Sequence, residues 1–503
     1  MTAVWVLGDQ LSRRQGPLAD DPDRVVMVEA PAFARRRRYH PQKLVLVFAA
    51  MRHLRDELRE DGVEVVYERA ETFGEGLDAY FEQYPGDDLV VQRPASHGSA
   101  DRLRRLVEAR GGSLDVVANA NFVCPPAQFD EWQGTEPPFD HESFYREMRR
   151  ETGYLVDDDG SPEGGDWNYD DQNRETPPSD YESPPVPSFD HDEHVPAVRE
   201  WVADEFDTWG DPEGFDWPVT REQAERALED FLDHRLPGFG PYEDAVLADD
   251  WHLEHSLLSS ALNVGLLDPE EVVEAAIDEY RSRDDVPLNS VEGFVRQIVG
   301  WREFVRHVYR HQMPGLASAN QLGADRDLPP LYWDPDATDM ACLGSAVGRV
   351  YDRGYAHHIE RLMLLSNFAL TYGASPQALN DWFHGGFVDA YHWVVTPNVV
   401  GMGVFGTDAF TTKPYAASAN YVDRMSDHCR GCAFDPDSTT GERACPFNSL
   451  YWDFLATHED RLRSNHRMGL VYSHLDDKRE AGSLPEIRER ARRVRRRAAA
   501  GDL

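Results

Sequence analysis

Apolar residues in the first 130 positions come in short unbroken runs: "VWVLG", "VVMVEA", "VEVVYE", "DLVVQR" and "LDVVANA". Runs of this length predict strands buried on both faces. Between several of them stand stretches with apolar residues at helical spacing, such as "PQKLVLVFAAMRHLRDELRE" and "SADRLRRLVEARGG". Strands alternating with helices predict a parallel sheet with crossover helices, a Rossmann-like α/β domain over residues 1–130. Ligands of such sheets sit beyond the carboxyl ends of the strands. "GDQL" directly follows the first run, which puts Asp9 and Gln10 at that edge, although a turn with a capping aspartate accounts for them equally well.

From about 155 to 220 the pattern dissolves into "DDDGSPEGGDWNYDDQNRETPPSDYESPPVPSFDHDEH", acidic and rich in Pro and Gly. This reads as a linker, assigned to 131–235, laid over the surface with Trp167 and Tyr169 as anchors. The pattern then turns helical to the end. "REQAERALEDFLDHRL", "PEEVVEAAIDEYRSR", "VEGFVRQIVGWREFVRHVYR" and "HHIERLMLLSNFALTYG" carry apolar residues at i, i+3, i+4, which predicts an all-α domain over 236–503. The terminal "EIRERARRVRRRAAAG" is a basic helix or tail. A chain of 503 residues exceeds one core and has interior enough to enclose a cofactor.

Charge changes the picture less than its size suggests. A net charge of −40 argues against phosphate partners, but lysine occurs only three times and acidic residues are spread along the whole chain, as in a protein of a salt-adapted cell. In molar salt the screening length is about 3 Å, so local basic patches decide rather than the total. No apolar run approaches the roughly 20 residues that span a bilayer, and "MTAVWVLGDQL" lacks a basic region ahead of a cleavable apolar segment. The expectation is a cytoplasmic protein without membrane contact. Five cysteines fit a reducing compartment.

The candidate chemistry lies in the helical half. Cys429, Cys432 and Cys445 form C-x2-C-x12-C-P, and Cys342 stands far upstream. Four thiols suit zinc or an iron–sulfur cluster; one close pair, a Cys-Pro and a remote cysteine favour the cluster. Cys124 reads as a small buried apolar residue. "GMGVFG" at 401–406 matches a dinucleotide fingerprint only literally, since no strand precedes it and no helix pattern follows. In "GFGPYEDAVLADDWHLEHSLLSSALNVGLL", Ser256 and Ser259 stand at the start of an apolar helical run, suited to a pyrophosphate or to plain N-capping. "EGFVRQIVGWREF" spaces Glu292, Arg296 and Trp301 along one helix, with Arg302 on a neighbouring face, and "GYAHHIERLM" places Arg361 one turn beyond His358. A histidine pair there serves a core or a catalyst, and Asp389 is available as partner to Arg361.

These pieces, together with "FYREMRR", "GGDWNYDDQNR", "DAYHWV", "PNVVGM" and "KPYAASANYVDRMSDHC", follow one another over essentially the whole length. The chain resembles the cryptochrome/photolyase superfamily, and within it the prokaryotic (6-4) photolyases, also called iron–sulfur bacterial cryptochromes and photolyases. The resemblance implies an α/β antenna domain and an all-α FAD-binding domain with a 4Fe-4S cluster on Cys342, Cys429, Cys432 and Cys445. FAD is implied at Tyr242, His255, Ser256, Leu257, Leu258, Ser259, Glu292, Gln297, Trp301, Arg302, Arg361, Asp389 and Val395. Asp9, Gln10 and Glu29 are implied at a 6,7-dimethyl-8-ribityllumazine antenna. His358 matches the proton donor facing the lesion, beside His357, Tyr415, Tyr421 and Lys413, and Trp333 and Trp382 match the electron relay. The implied activity is light-driven repair of (6-4) photoproducts in damaged DNA, by a monomer whose excited reduced FAD passes an electron to a flipped-out pyrimidine dimer. Two departures stand out: Phe383 follows Trp382 where relatives carry tyrosine, and Val395 stands where superfamily members place a polar residue. The rival readings are a blue-light receptor with the same cofactors and a flavin-free nucleic-acid-binding protein with a structural metal centre.

Overall fold

Five strands, β1 (Thr2–Val6), β2 (Arg24–Glu29), β3 (Glu64–Arg69), β4 (Asp88–Gln92) and β5 (Ser113–Val117), pair in parallel in the order β3-β2-β1-β4-β5 in the computed structural model, which describes residues 2–178 and 180–503. All five apolar runs are strands. Alternate residues explain why they are unbroken. Val4, Val6, Val25 and Met27 pack on helix Pro41–Glu60, while Ala3, Trp5, Val26 and Val28 pack on helices Phe73–Gln83 and Ser99–Glu108. With helices on both faces, β2 is buried at every position.

The strand order reverses between β1 and β4, so the sheet's natural crevice opens beyond Val6 and Gln92. The chain itself fills it. Gln10 Nε2 donates to the Gln92 carbonyl at 2.9 Å, and Leu11 N–H donates to the Val264 carbonyl of the helical half at 2.9 Å. Gly265, at φ +86°, lies so close that a Cβ would stand 3.0 Å from the Leu11 nitrogen.

Residues 131–235, expected as a linker, carry helices His141–Thr152, His194–Glu205 and Arg221–Asp230. Val195, Val198 and Val202 bury one face of the second against Pro41–Glu60. The irregular stretch between the first two is tied down. Arg149 donates to the carbonyls of Tyr154 and Trp167, at 3.2 and 2.8 Å, and its guanidinium lies 5.2 Å from the Trp167 ring. Tyr169 N–H donates to Glu292 at 3.0 Å. Every regular element from Ser259 onward is helical. The basic C-terminal helix Leu484–Ala500 is packed along one face through Ile487, Ala491, Val494 and Ala498.

Candidate active site

A cavity of about 880 Å³ opens within the helical half. Three of the four described π-helical stretches line it: Arg296–Arg302, Glu360–Ser366 and Pro397–Gly403. A π turn advances the side-chain register relative to an α turn, and such turns gather at functional sites. The first interrupts one long helix, α-helical over Leu288–Val295 and again over Glu303–Gln312. It delivers Gln297, Trp301 and Arg302 to the cavity wall. "GMGVFG" falls at the end of the third, with no strand before it.

At the centre, Arg361 and Asp389 form a two-pronged ion pair, Nη1 to Oδ1 and Nη2 to Oδ2, both 3.0 Å. Ser259 adds a hydroxyl donor to Asp389 at 2.7 Å. Burial pushes the Asp389 carboxyl up, but Arg361 and the Ser259 hydroxyl more than offset it, and the group is held below the usual range. Nearby, the Lys43 ammonium is buried against the carbonyls of His384 and Ala390, and burial pushes it down to about 7. Ser256 does not cap a helix. Leu257 sits at φ +61°, and helix Ser259–Val264 begins only after that turn. A leucine in this region costs about 1–2 kcal/mol, strain stored at the cavity wall.

Three imidazoles stand together beside this pair. His255 and His357 stack with ring centres 4.8 Å apart, and His358 meets His255 edge-on at 5.3 Å. His358 faces the cavity, with Nε2 3.4 Å from Asp244 Oδ1. The side chain is 46% exposed, so burial lowers its imidazolium pKa only in part, and Asp244, helped by Glu243, outweighs that and raises it above the ordinary histidine value. His255 has no carboxylate beside it and His357 Nε2 lies 3.8 Å from the buried Glu360 carboxyl, and burial holds both imidazoles well below that value. Tyr415 and Tyr421 pack with Ile359 and Met363, on the helix that bears His358, and Lys413 also lines the cavity. Exposed Arg424 contributes positive charge to the lining, whereas Arg174 is paired there with Asp170 and Asp244.

The cavity thus gathers His358, Tyr415, Tyr421, Lys413, His255, Ser256, Leu257, Leu258, Ser259, Gln297, Trp301, Arg302, Arg361, Asp389 and Val395. Other singled-out residues lie off its wall. His357 is buried behind it, Tyr242 stands edge-on to Tyr181, and Glu292 sits 3.5 Å from Arg296, buried with it. Asp9 and Gln10 lie at the sheet edge, and burial pushes the Asp9 carboxyl up to about 6. Glu29 is fully buried in a clamp with Arg52 at 2.7 Å and Arg69 at 3.1 Å.

Several lining residues escaped sequence reasoning. Asp170 and Arg174 come from the acidic stretch, Glu243 and Asp244 from a turn, and His141 stacks on Trp301 with centres 3.7 Å apart. Phe383 lines the cavity and meets Trp382 edge-on at 5.2 Å. From Trp382 the aromatic contacts continue to Trp209 at 5.9 Å and from Trp209 to Trp333 at 5.5 Å, where the indole is 39% exposed. Trp209 is the middle member, and nothing in "DTWGDP" marks it.

A separate, small cavity of about 10 Å³ is walled by Cys342, Cys429, Cys432 and Cys445 with Met340, Val422, Phe434 and Phe447. Cys342 sits at the start of helix Ala341–Arg353 and Cys445 immediately ahead of helix Pro446–Thr457. All four thiols are free of disulfides, and Cys124 is buried alone.

With this geometry in place, comparison with known proteins is decisive. Residues 4–217 match the family model described as deoxyribodipyrimidine photo-lyase-related protein. A (6-4) photolyase of Agrobacterium fabrum is 40% identical over 481 residues, covering 93% of this chain and 94% of that one. The chain belongs to the family of this (6-4) photolyase. Among solved structures, a class III photolyase from Agrobacterium tumefaciens superposes with a TM-score of 0.57 at 18% identity, covering 82% of this chain and 81% of that one. A Synechocystis cryptochrome gives 0.56 at 15% identity, with coverage of 82% and 84%. At those identities the two structures establish the photolyase/cryptochrome fold. Family and fold both agree with the resemblance read from the motifs. Among the described residues, no helix is long and apolar enough to cross a membrane.

Proposed function

We propose that this chain is a light-driven DNA-repair enzyme that acts on (6-4) pyrimidine–pyrimidone photoproducts. The observation that carries the reading is His358, held by Asp244 with a raised pKa, on the wall of a large cavity shared with the Arg361–Asp389 pair. The 40% identity to a protein named (6-4) photolyase supports the same choice of lesion.

The cavity suits FAD in size and donors. Its volume lies at the upper end of the roughly 300–1,000 Å³ typical of ligand sites. Gln297, Ser256, Ser259 and Arg361 supply polar contacts, and Trp301, Leu258 and Val395 supply apolar ones. FAD bound there would supply the light-driven electron. The protein's part is positional and protic. His358 donates a proton to the lesion, and the Asp244 carboxylate favours the protonated form of that imidazole. Arg361 and Asp389 add fixed but mutually neutral charge. Phe383 takes no part in proton release, so supply of electrons from the surface falls to Trp382, Trp209 and Trp333. Arg424 and Lys413 suit the DNA backbone despite the acidic total.

The four cysteines suit a 4Fe-4S cluster better than a single zinc ion. Tetrahedral zinc thiolates need sulfurs about 3.8 Å apart. Among the described residues, the sets of three or more ligand atoms within 4.8 Å of one another are His255–His357–His358 and His53–Asp192–His194, and the cysteines form none. Burial pushes the Cys429 and Cys445 thiols up to about 12, so the pocket favours thiolates only beside a compensating cation. The antenna reading rests on Asp9 and Gln10 at the sheet's switch point, since Glu29 is closed off in its clamp with Arg52 and Arg69, and a location in the cytoplasm of a salt-adapted cell rests on composition.

The test is illumination of the purified protein with oligonucleotides carrying (6-4) or cyclobutane lesions in high salt. Only the (6-4) duplex is restored. His358→Ala keeps flavin and iron and abolishes repair; normal repair by that variant would falsify the assignment.

A further inference from the structure

Another group of metal-ligating side chains lies off the cavity wall, where the chain entering helix His194–Glu205 rests on helix Pro41–Glu60. Ligand atoms of His53, Asp192 and His194 all fall within 4.8 Å of one another. Internal pairing satisfies this group only in part: Asp192 Oδ1 accepts the His194 backbone N–H at 2.9 Å. His53 Nε2 stands 3.4 Å from Asp192 Oδ1, yet it is buried without a hydrogen-bond partner, as are both ring nitrogens of neighbouring His191. Buried imidazole nitrogens rarely go unpaired.

The arrangement behind the rings is equally specific. Asp56 Oδ2 lies 2.6 Å from His194 Nε2, and Arg55 holds both oxygens of Asp56 at 2.7 Å. A carboxylate on one nitrogen of a histidine fixes the ring and leaves the other nitrogen for a metal. Two imidazoles on one tetrahedral ion, with nitrogens about 2.0–2.1 Å from it, have ring centres about 5 Å apart. The His53 and His194 centres are 4.9 Å apart.

We propose that His53, His194 and Asp192 form a binding site for a divalent cation of the zinc class, with Asp56 positioning His194. Two imidazoles and a carboxylate select a borderline metal over Mg²⁺ or Ca²⁺, which take oxygen ligands. The Asp192 side chain is half exposed, so the ion enters from solvent and water completes its shell. The bound ion cross-links the α/β domain to the end of the acidic stretch, fastening chain that otherwise docks through Val195, Val198 and Val202.

The experiment uses the flavin-loaded full chain. It is equilibrated with excess Zn²⁺ and desalted, zinc is counted by mass spectrometry, and its neighbours are read by X-ray absorption at the zinc edge. The expected result is a retained ion with nitrogen and oxygen neighbours. Affinity falls by about tenfold or more in His53→Ala, His194→Ala and the half-exposed Asp192→Asn. Unchanged flavin and iron content shows that the variants are folded, and Asp192→Asn decides the matter if an alanine variant loses flavin. No zinc in the wild type, sulfur neighbours only, or equal affinity across the folded variants overturns the site. Zinc occupancy is read without any repair assay, so its outcome stands apart from the proposed activity.

Discussion

Breaking the Arg361–Asp389 pair should cost more than either side chain contributes alone. Two unit charges about 4 Å apart attract by about 4 kcal/mol at an effective dielectric of 20. The Asp389 side chain is 7% exposed and that of Arg361 25%. Arg361→Met leaves a nearly dry carboxylate with only the Ser259 hydroxyl, at a cost of roughly 3–5 kcal/mol. Asp389→Leu leaves a guanidinium that water reaches through the cavity and that still donates to the Ala356 carbonyl, so about 2–3 kcal/mol is expected. The double variant replaces both charges with apolar groups and should be more stable than the sum of the singles by about 2 kcal/mol or more. Guanidinium unfolding followed by tryptophan fluorescence measures all four proteins, compared at equal flavin occupancy because bound ligand adds stability by mass action. Coupling below about 0.5 kcal/mol, the scatter expected of independent sites, would refute the reasoning.

Asp244→Asn removes the carboxylate that raises His358, so the imidazolium loses its proton at lower pH. The proton donor is active below its pKa, so repair in the variant should fail earlier as pH rises; a pH–rate profile superimposable on the wild type contradicts the assignment. Cys342→Ser should lower iron per chain and bleach the visible absorption of the proposed cluster, and iron at the wild-type level removes Cys342 from the ligand set. Trp209→Phe takes away the middle indole and one hydrogen bond, from its Nε1 to the Trp333 carbonyl at 2.9 Å. Light-driven flavin reduction with an external thiol should slow severalfold while binding of FAD is unchanged, and an unaltered rate means that electrons enter elsewhere.

The five strands were legible because a sheet covered by helices on both faces demands unbroken apolar runs, a local signal that survives without any tertiary knowledge. The ion pair was nearly legible: Arg361 needed an acid, and Asp389 stood in a motif that resembled a known one. The stretch assigned to the linker misled, because its helices are short and its value as structure lies in contacts with distant elements. Asp170 reaches Arg296 at 2.8 Å across 126 residues, and Trp209 meets Trp382 and Trp333 from equally remote sequence. Ser256 misled differently, since a left-handed Leu257 delays the helix and propensity gives no warning of stored strain.

Periodicity therefore determined the α/β and helical halves, a property of residues near one another in sequence, while residue identity and the resemblance of motifs pointed to the four cysteines and to part of the cavity wall. Tertiary structure alone decided that His358 is raised and His255 and His357 lowered, that a third tryptophan stands between Trp382 and Trp333, and that His53, Asp192 and His194 meet. Charge and burial at a point depend on every element that converges there, and that convergence is set by packing rather than by local pattern.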